Sequence, residues 1–247
     1  MILAANWKMN IPPAEARRFA ARFLAKVPPQ QGRELVFFPS AVAIEAAVQA
    51  FAGRPDVRIG VQDVHWEPKG AFTGATSVVL AAAAGAACAL IGHSERRHVF
   101  GETDEDTRRK LGAVLAGGLK PFLCVGEKLE ERERGETESV VLRQLRTACE
   151  GAPPVVLDTL VVAYEPVWAI GTGKNATPED AAHVHRVIRS ALDALGARQV
   201  PILYGGSVSA GNVQALMARP EVNGVLVGGA SLDPDGWAEV TRLAMER

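Results

Sequence analysis

Polar residues that suit proton transfer beside an anion follow three short apolar runs of this chain. Asn6 and Lys8 stand in NWKMN, where the run ILAAN ends. His93 and Glu95 stand in IGHSERR, and Glu165 ends the run LVVAYE. Carboxylates and imidazoles are the usual general acids and bases, and a buried ammonium needs an anionic partner or ligand. Each residue alone is explained as well by an ordinary surface charge. Together they indicate a site, provided that the fold brings the three strand ends to one rim.

Two glycine pairs, in YGGSV (204–208) and VGGAS (227–231), follow later apolar runs. Glycine allows backbone N–H groups to approach an anion closely, and the loops after strands seven and eight form the usual phosphate site of a (β/α)₈ barrel. Ordinary turns are the alternative, because the chain has 24 glycines. The occurrence of both pairs at this position favours a phosphate site.

The segment PVWAIGTGKNA (166–176) is long for a strand-to-helix loop, and its middle is apolar. Small residues at its ends suggest a lid with hinges, since an exposed apolar tip on a rigid surface loop would be unexplained. Gly171 to Ala176 fits the pattern G-x-G-x-x-A of dinucleotide sites. That interpretation is rejected, because the glycines come several residues after the strand instead of at its end.

Eight apolar runs of strand length alternate with segments of helical periodicity. The runs are ILAAN (2–6), LVFFP (35–39), RIGVQ (58–62), CALIG (88–92), PFLCV (121–125), LVVAYE (160–165), PILYG (201–205) and GVLVG (224–228). Helix starts are predicted at Thr103, at Thr177 before Pro178 and at Asp233 before Pro234. The alternation predicts an α/β fold with a parallel sheet, either a single-domain (β/α)₈ TIM barrel or an open doubly wound sheet.

Composition and charge argue against several classes of protein, among them nucleic-acid-binding and membrane proteins. The 247 residues are 48% hydrophobic and 22% charged, which is typical of a globular chain. With 27 basic and 28 acidic side chains, the chain lacks the excess charge that would attract nucleic acid or an anionic membrane. Neither a signal sequence nor an apolar run long enough to span a bilayer is recognisable, and the three cysteines fit buried reduced thiols. These features favour a cytoplasmic protein.

Five strings taken together resemble the triosephosphate isomerase family: NWKMN, IGHSERR, YEPVWAIGTGK, YGGSV and LVGGASL. Their order and spacing match from Asn6 to Leu232. The resemblance implies one (β/α)₈ barrel domain over residues 1–247, a homodimer, and no cofactor or metal. It also implies interconversion of D-glyceraldehyde 3-phosphate and dihydroxyacetone phosphate through an enediolate, a step of glycolysis and gluconeogenesis.

The resemblance also implies residue roles. Glu165 would be the base, and His93 a neutral electrophile whose charged form is disfavoured by the following helix N-terminus, roles for which this enzyme is a general example. Lys8 and Asn6 would contact the developing oxyanion, and Glu95 would hold the ammonium. Backbone N–H groups would bind the phosphate, and the residues implied are Gly171, Ser207, Gly228 and Gly229. Tyr204 and Ser207 would help to latch the closed lid.

One loop departs from the family pattern. Relatives commonly read GAFTGE where this chain reads GAFTGA, so Ala75 replaces a carboxylate that would meet Arg96 of a neighbour, whereas Thr73 is retained. Exposed ion pairs contribute about 0–1 kcal/mol, so a dimer is still expected. Two other functions stay open: another sugar-phosphate enzyme, a lyase or epimerase, with Lys8 as a conceivable Schiff-base residue, and a non-catalytic barrel that binds phosphorylated metabolites.

Overall fold

The protein is described by a computed structural model covering residues 1–170 and 176–246. Its strands form one closed parallel barrel in which each strand pairs with the next and the last pairs with the first. The strands are β1 (Ile2–Asn6), β2 (Glu34–Phe38), β3 (Val57–Val61), β4 (Cys88–Ile91), β5 (Lys120–Val125), β6 (Val161–Tyr164), β7 (Ile202–Tyr204) and β8 (Gly224–Val227). Because β1 pairs with β8, Ile2 opposite Gly224, the sheet has no free edge and the doubly wound alternative is excluded.

Helices connect the strands and surround the barrel. They are α1 (Pro13–Lys26), α2 (Ile44–Ala50), α3 (Val78–Ala83), α4 (Ser94–His98), α5 (Asp104–Ala116), α6 (Leu129–Glu133), α7 (Thr137–Cys149), α8 (Pro154–Leu157), α9 (Pro178–Ala194), α10 (Val213–Met217) and α11 (Pro234–Met245). The predicted starts are confirmed: the side chains of Thr103, Thr177 and Asp233 each accept a hydrogen bond from a backbone N–H in the first turn. No helix within 1–170 or 176–246 is long and apolar enough to cross a membrane.

Every second side chain of a strand points into the barrel, and this inward-facing series continues to the carboxyl ends of the strands. Ala4 of β1 and Ala163 of β6 belong to the buried cluster inside the barrel. Since alternate residues of a strand share a face, the next inward positions are Asn6 and Glu165. Both are buried, with 4% and 2% of their surfaces exposed. The strand period thus places these two polar side chains at the carboxyl end of the barrel, above an apolar interior.

The other face of the strands packs against the helices. Trp7 and Phe37 contact Phe19 of α1 at centroid distances of 4.9 and 6.0 Å, and Phe37 stacks on Phe51 at 4.4 Å. Burying an aromatic side chain of this size stabilises a fold by about 1.5–3 kcal/mol. This aromatic cluster fixes β1 and β2 against α1, and with them the loop that carries Lys8.

The cysteines behave as packing residues. Cys88, Cys124 and Cys149 are free thiols and all three are buried. Burial raises the pKa of Cys149 to about 11 and the pKa of Cys88 and Cys124 further still. A thiol that stays protonated at neutral pH is a poor nucleophile, and the burial of all three agrees with the expectation of buried reduced thiols.

Candidate active site

The carboxyl ends of the strands enclose a cavity of about 360 Å³. Residues from five predicted clusters line it: Asn6, Lys8, His93, Glu165, Gly205, Gly206, Ser207, Gly228 and Gly229. A parallel barrel brings the loops after its strands to one rim, which is where the active sites of such barrels lie. The structure therefore places the candidate base, Glu165, and the candidate electrophile, His93, in the same cavity as the two glycine pairs.

His93 and Glu165 face each other inside this cavity. His93 Nε2 lies 3.1 Å from Glu165 Oε1, and both side chains are less than one-tenth exposed. The second carboxylate oxygen, Glu165 Oε2, accepts a hydrogen bond of 2.8 Å from the backbone N–H of Ser94. The carboxylate is therefore held by two groups from the loop after β4, with one oxygen turned toward the imidazole.

Hydrogen bonding assigns the proton on the His93 ring. The backbone N–H of Glu95 donates to His93 Nδ1 at 3.2 Å, so Nδ1 is unprotonated and a neutral ring carries its proton on Nε2. Burial lowers the pKa of His93, but the Glu165 carboxylate outweighs burial and raises the pKa above its ordinary value. Two influences therefore oppose each other at His93: the Glu95 N–H on Nδ1 favours a neutral ring, and the Glu165 carboxylate favours a charged one.

The pKa of Glu165 is lowered, whereas the pKa of His93 is raised. Burial alone would raise it, but His93 and the Ser94 N–H stabilise the carboxylate and lower the pKa below its ordinary value, with a smaller contribution from Lys8. A carboxylate is the form that can accept a proton. At neutral pH Glu165 is therefore ionised and ready to act as a base.

Lys8 and Asn6 line the cavity at the carboxyl end of β1. Lys8 has a positive φ of 51°, an uncommon conformation for a side chain of its size. Its Nζ lies 2.6 Å from Glu95 Oε1, and its backbone N–H donates to Asn6 Oδ1 at 3.0 Å. Asn6 Nδ2 in turn lies 3.2 Å from His93 Nε2. The predicted pairing of Lys8 with Glu95 is present, and the ammonium is held facing the cavity.

The first glycine pair makes room for neighbouring side chains. A Cβ at Gly205 would lie 2.8 Å from Glu165 Cγ, and one at Gly206 would lie 2.2 Å from the Tyr204 hydroxyl. The sequence argument assigned this pair to anion binding alone. The structure adds a second reason for glycine, because any larger residue at 205 would displace the Glu165 side chain.

The second glycine pair borders Lys8. A Cβ at Gly228 would lie 3.0 Å from Lys8 Cε, whereas a Cβ at Gly229 would meet no atom within 4 Å. Gly228 therefore lets the lysine stem pass close to the end of β8. Gly229 begins a short 3₁₀ turn, Gly229–Ser231, and leaves open space beside its backbone.

The start of the predicted lid packs against the barrel. Val167–Ala169 forms a 3₁₀ turn, Ala169 is fully buried, and the Ser207 hydroxyl donates to the Ala169 carbonyl. Residues 168–170 thus do not form an exposed apolar tip: Trp168 is half-buried and its Nε1–H donates to Glu127 Oε1 at 2.9 Å. Gly171 lies outside the described residues.

Three buried residues that form hydrogen bonds around the site were not predicted from the sequence. Glu127 is fully buried and also accepts a hydrogen bond of 3.1 Å from the Tyr164 hydroxyl. Arg97 donates to the Gly92 carbonyl at 2.8 Å, next to His93, and Gln144 binds the backbone of Gly126. A buried carboxylate in GEK after β5 was a usable signal for Glu127. Arg97 stands in IGHSERR, which was also a usable signal, whereas a single glutamine on a helix has no distinctive pattern.

The loop that departs from the family pattern is exposed throughout residues 67–75. Arg96 instead contacts carboxylates of its own chain: Nη2 lies 3.2 Å from Asp63 Oδ2, and Nε lies 3.4 Å from Glu102 Oε2. Its guanidinium also lies over the ring of Phe100, 4.3 Å from the centroid. The charge of Arg96 is thus compensated without a carboxylate at position 75.

No group of three His, Cys, Asp or Glu side chains that could hold a metal ion occurs in the described part of the chain. His183 and His185 are two residues apart on α9, so their side chains point to different faces of the helix. His183 pairs with Glu138 at 2.9 Å on the surface, whereas His185 is fully buried on the opposite side of α9.

Comparison with known proteins agrees with the geometry of the cavity. A sequence model of the triosephosphate isomerase family matches residues 1–244. A triosephosphate isomerase of Symbiobacterium thermophilum is 45% identical over 99% of this chain and 97% of its own length. The triosephosphate isomerases of Aquifex aeolicus and Solibacter usitatus are 43% and 46% identical, each over 97% of both chains. The chain belongs to the triosephosphate isomerase family.

Proposed function

We propose that this chain catalyses the interconversion of D-glyceraldehyde 3-phosphate and dihydroxyacetone phosphate by proton transfer through an enediolate. The observation that carries the proposal is the 3.1 Å contact between His93 Nε2 and Glu165 Oε1, in a cavity that also contains the Lys8 ammonium. A base, a hydrogen-bond donor and a cation around one small cavity are the groups that this reaction requires.

Glu165 is the base in this proposal. Its carboxylate removes the proton from C2 of glyceraldehyde 3-phosphate, a hydroxyl proton passes from O2 to O1 in the enediolate, and return of the carbon-bound proton to C1 gives dihydroxyacetone phosphate. The Ser94 N–H fixes Oε2 and leaves Oε1 directed into the cavity. The lowered pKa keeps the group ionised at neutral pH, so the carbon acid must be made more acidic by stabilising the enediolate.

His93, Asn6 and Lys8 supply that stabilisation. Substrate bound between Glu165 and His93 separates the carboxylate from the imidazole and removes the influence that raises the pKa of His93. The Glu95 N–H on Nδ1 remains, and it favours the neutral ring that donates from Nε2 to a substrate oxygen. The Lys8 ammonium, oriented by Glu95 at 2.6 Å, adds a positive charge beside the developing oxyanion.

The phosphate group is assigned to the glycine-lined side of the cavity. The backbone N–H groups of Ser207, Gly228 and Gly229 are the proposed donors, supported by their place on the cavity wall and by the open space beside Gly229. Gly171 is assigned the same role by resemblance alone. Closure of the loop after Glu165, latched by Ser207 and Tyr204, would exclude water and protect the enediolate from loss of phosphate.

The remaining assignments describe the protein as a whole. Residues 1–247 form one barrel domain that acts in the cytoplasm, in glycolysis and gluconeogenesis, without a cofactor, nucleic acid or membrane partner. We assign a homodimer, because the exposed apolar side chains of Phe72, Val79 and Leu80 line one groove together with Ala75 of the loop that departs from the family pattern. Apolar side chains exposed together are typical of a protein interface.

The alternatives are less well supported. A Schiff-base enzyme needs a neutral, desolvated lysine, but Lys8 is ion-paired with Glu95 at 2.6 Å. A barrel that only binds phosphorylated metabolites has no need of a buried carboxylate facing an imidazole.

The test is the conversion of glyceraldehyde 3-phosphate followed by proton NMR, with and without borohydride. The proposal predicts rapid formation of dihydroxyacetone phosphate and no covalent trapping of substrate on Lys8. Absence of conversion by folded protein would contradict the isomerase assignment, and trapped substrate on Lys8 would favour a Schiff-base enzyme.

A further inference from the structure

Gln144 binds the backbone at the end of β5 with both ends of its side-chain amide. The Gly126 N–H donates to Gln144 Oε1 at 2.8 Å, and Gln144 Nε2 donates to the Gly126 carbonyl at 3.1 Å. Gln144 lies on α7 and is only 3% exposed. Both polar groups of a glycine that lies beyond the last paired residue of its strand are therefore satisfied by one buried side chain.

Gly126 lies directly against the backbone of the proposed base. A Cβ at Gly126 would come within 1.7 Å of the Glu165 carbonyl oxygen, so no side chain separates the two segments. On either side of Gly126, the Glu165 N–H donates to the Val125 carbonyl at 2.8 Å and the Val167 N–H donates to the Glu127 carbonyl at 3.1 Å. Residues 125–127 are thus hydrogen-bonded through their backbone to residues 165–167 and fix their position.

We propose that Gln144 is a positioning residue for isomerisation, which fixes Gly126 and through it the backbone of Glu165. The inference rests on the proposed function, because it assigns Glu165 as the base. Gln144 does not line the cavity and touches no reacting atom, so it acts only through the loop after β5. Displacement of a catalytic group by about 1 Å can cost about a hundredfold in rate, so a support of this kind matters for turnover.

Gln144→Met is the first variant to test. Methionine has similar length and no branch, so it fills the space while removing both hydrogen bonds to Gly126. We expect kcat to fall at least tenfold while KM for glyceraldehyde 3-phosphate changes less than twofold, because the phosphate-binding loops after β7 and β8 are not attached to Gln144. Unchanged kcat in a folded Gln144→Met enzyme would overturn the inference.

A matched control separates positioning from general stability. Leu145 is the next residue of α7 and is fully buried in the apolar core. Leu145→Ala should lower the melting temperature by at least as much as Gln144→Met and leave kcat within twofold of wild type at 25 °C. If the two variants lose kcat in proportion to melting temperature, Gln144 is a stability residue and the positioning role is wrong.

A second variant covers the case in which Gln144→Met does not fold. Gln144→Glu keeps the length of the side chain and an oxygen to accept from the Gly126 N–H, but a carboxylate cannot donate to the Gly126 carbonyl. We expect a loss of kcat smaller than that of Gln144→Met, with KM again little changed. Wild-type kcat in Gln144→Glu would contradict the inference. Wild-type enzyme without activity would contradict the proposed function itself, which distinguishes the two failures.

Discussion

The imidazole of His93 and the carboxylate of Glu165 are in direct contact, with His93 Nε2 3.1 Å from Glu165 Oε1. Burial of two ionisable groups is costly unless they are paired, and this contact supplies the pair. In the proposed reaction, substrate replaces this contact with contacts of its own, which releases Glu165 Oε1 for a carbon-bound proton and the His93 Nε2–H for an oxygen.

A methyl group at Gly205 should displace the base without disrupting the barrel. The added Cβ would lie 2.8 Å from Glu165 Cγ, whereas at Gly211 the nearest atom would be 3.7 Å away, an ordinary contact. Neither glycine has the positive φ that disfavours alanine. We expect Gly205→Ala to lower kcat by about a hundredfold and Gly211→Ala to leave it unchanged. Steady-state kinetics on both variants measures this, and equal kcat values would contradict the role of Gly205.

Removal of the ammonium from the cavity should affect catalysis more than stability. The Lys8–Glu95 pair is partly exposed, so its contribution to folding is about 0–1 kcal/mol. Lys8→Met should lower kcat/KM by at least a hundredfold through lost charge stabilisation, with a melting temperature within a few degrees of wild type. Lys26→Met removes a similar ammonium that pairs with Asp235 at 3.0 Å on the outer surface. Loss of activity in both variants would show that the effect is not specific to the cavity.

Buried His185 should make stability depend on pH between about 4 and 6.5. Burial lowers the pKa of His185 to about 4, against smaller opposing effects from the Glu221 carbonyl and carboxylate. Below its ordinary pKa of 6.5 the unfolded chain binds a proton that the folded chain does not, so stability falls as pH falls from 6.5 to 4. The loss amounts to about 3 kcal/mol at pH 4.

Urea unfolding across this pH range measures that loss. His185→Gln removes the titrating group and can still donate to the Glu221 carbonyl, which His185 Nδ1 contacts at 3.0 Å. We expect a flatter dependence on pH in His185→Gln than in wild type. His183→Gln is the control, because His183 is exposed on the same helix. An identical dependence on pH in wild type and His185→Gln would refute the assignment.

Restoring a carboxylate at position 75 should change the proposed dimer little. Arg96 is already compensated by Asp63 at 3.2 Å and Glu102 at 3.4 Å, so a new exposed pair adds about 0–1 kcal/mol. We expect Ala75→Glu to tighten the dimer by no more than about fivefold. Sedimentation equilibrium gives both dissociation constants. A wild-type chain that is monomeric at micromolar concentration would contradict the homodimer.

Much of the fold follows from the periodicity of apolar residues. The predicted strand at 35–39 is observed at Glu34–Phe38 and that at 224–228 at Gly224–Val227, because strand boundaries depend on hydrogen bonds that composition does not define. The periodicity of apolar residues alone does not predict that the sheet closes into a barrel. Closure needs β8 to pair with β1, a contact between the two ends of the chain that only packing decides.

The candidate site was predictable where chemistry requires a rare residue type at a strand end. Asn6, His93 and Glu165 met that condition and converge in one cavity. Gln144 did not, because a buried glutamine looks like any polar residue on a helix until its partner Gly126 is seen. The role of Gly205 was equally hidden, since it depends on the width of the gap beside Glu165.

The most direct test of the account is the rate at which Glu165→Gln exchanges substrate protons with deuterated water. Glutamine preserves the shape of the side chain and cannot accept the carbon-bound proton as a carboxylate does. We predict that wild type forms dihydroxyacetone phosphate carrying deuterium at C1, and that folded Glu165→Gln loses both isomerisation and exchange by several orders of magnitude. Isomerisation at a wild-type rate in Glu165→Gln would contradict the central claim that Glu165 is the base.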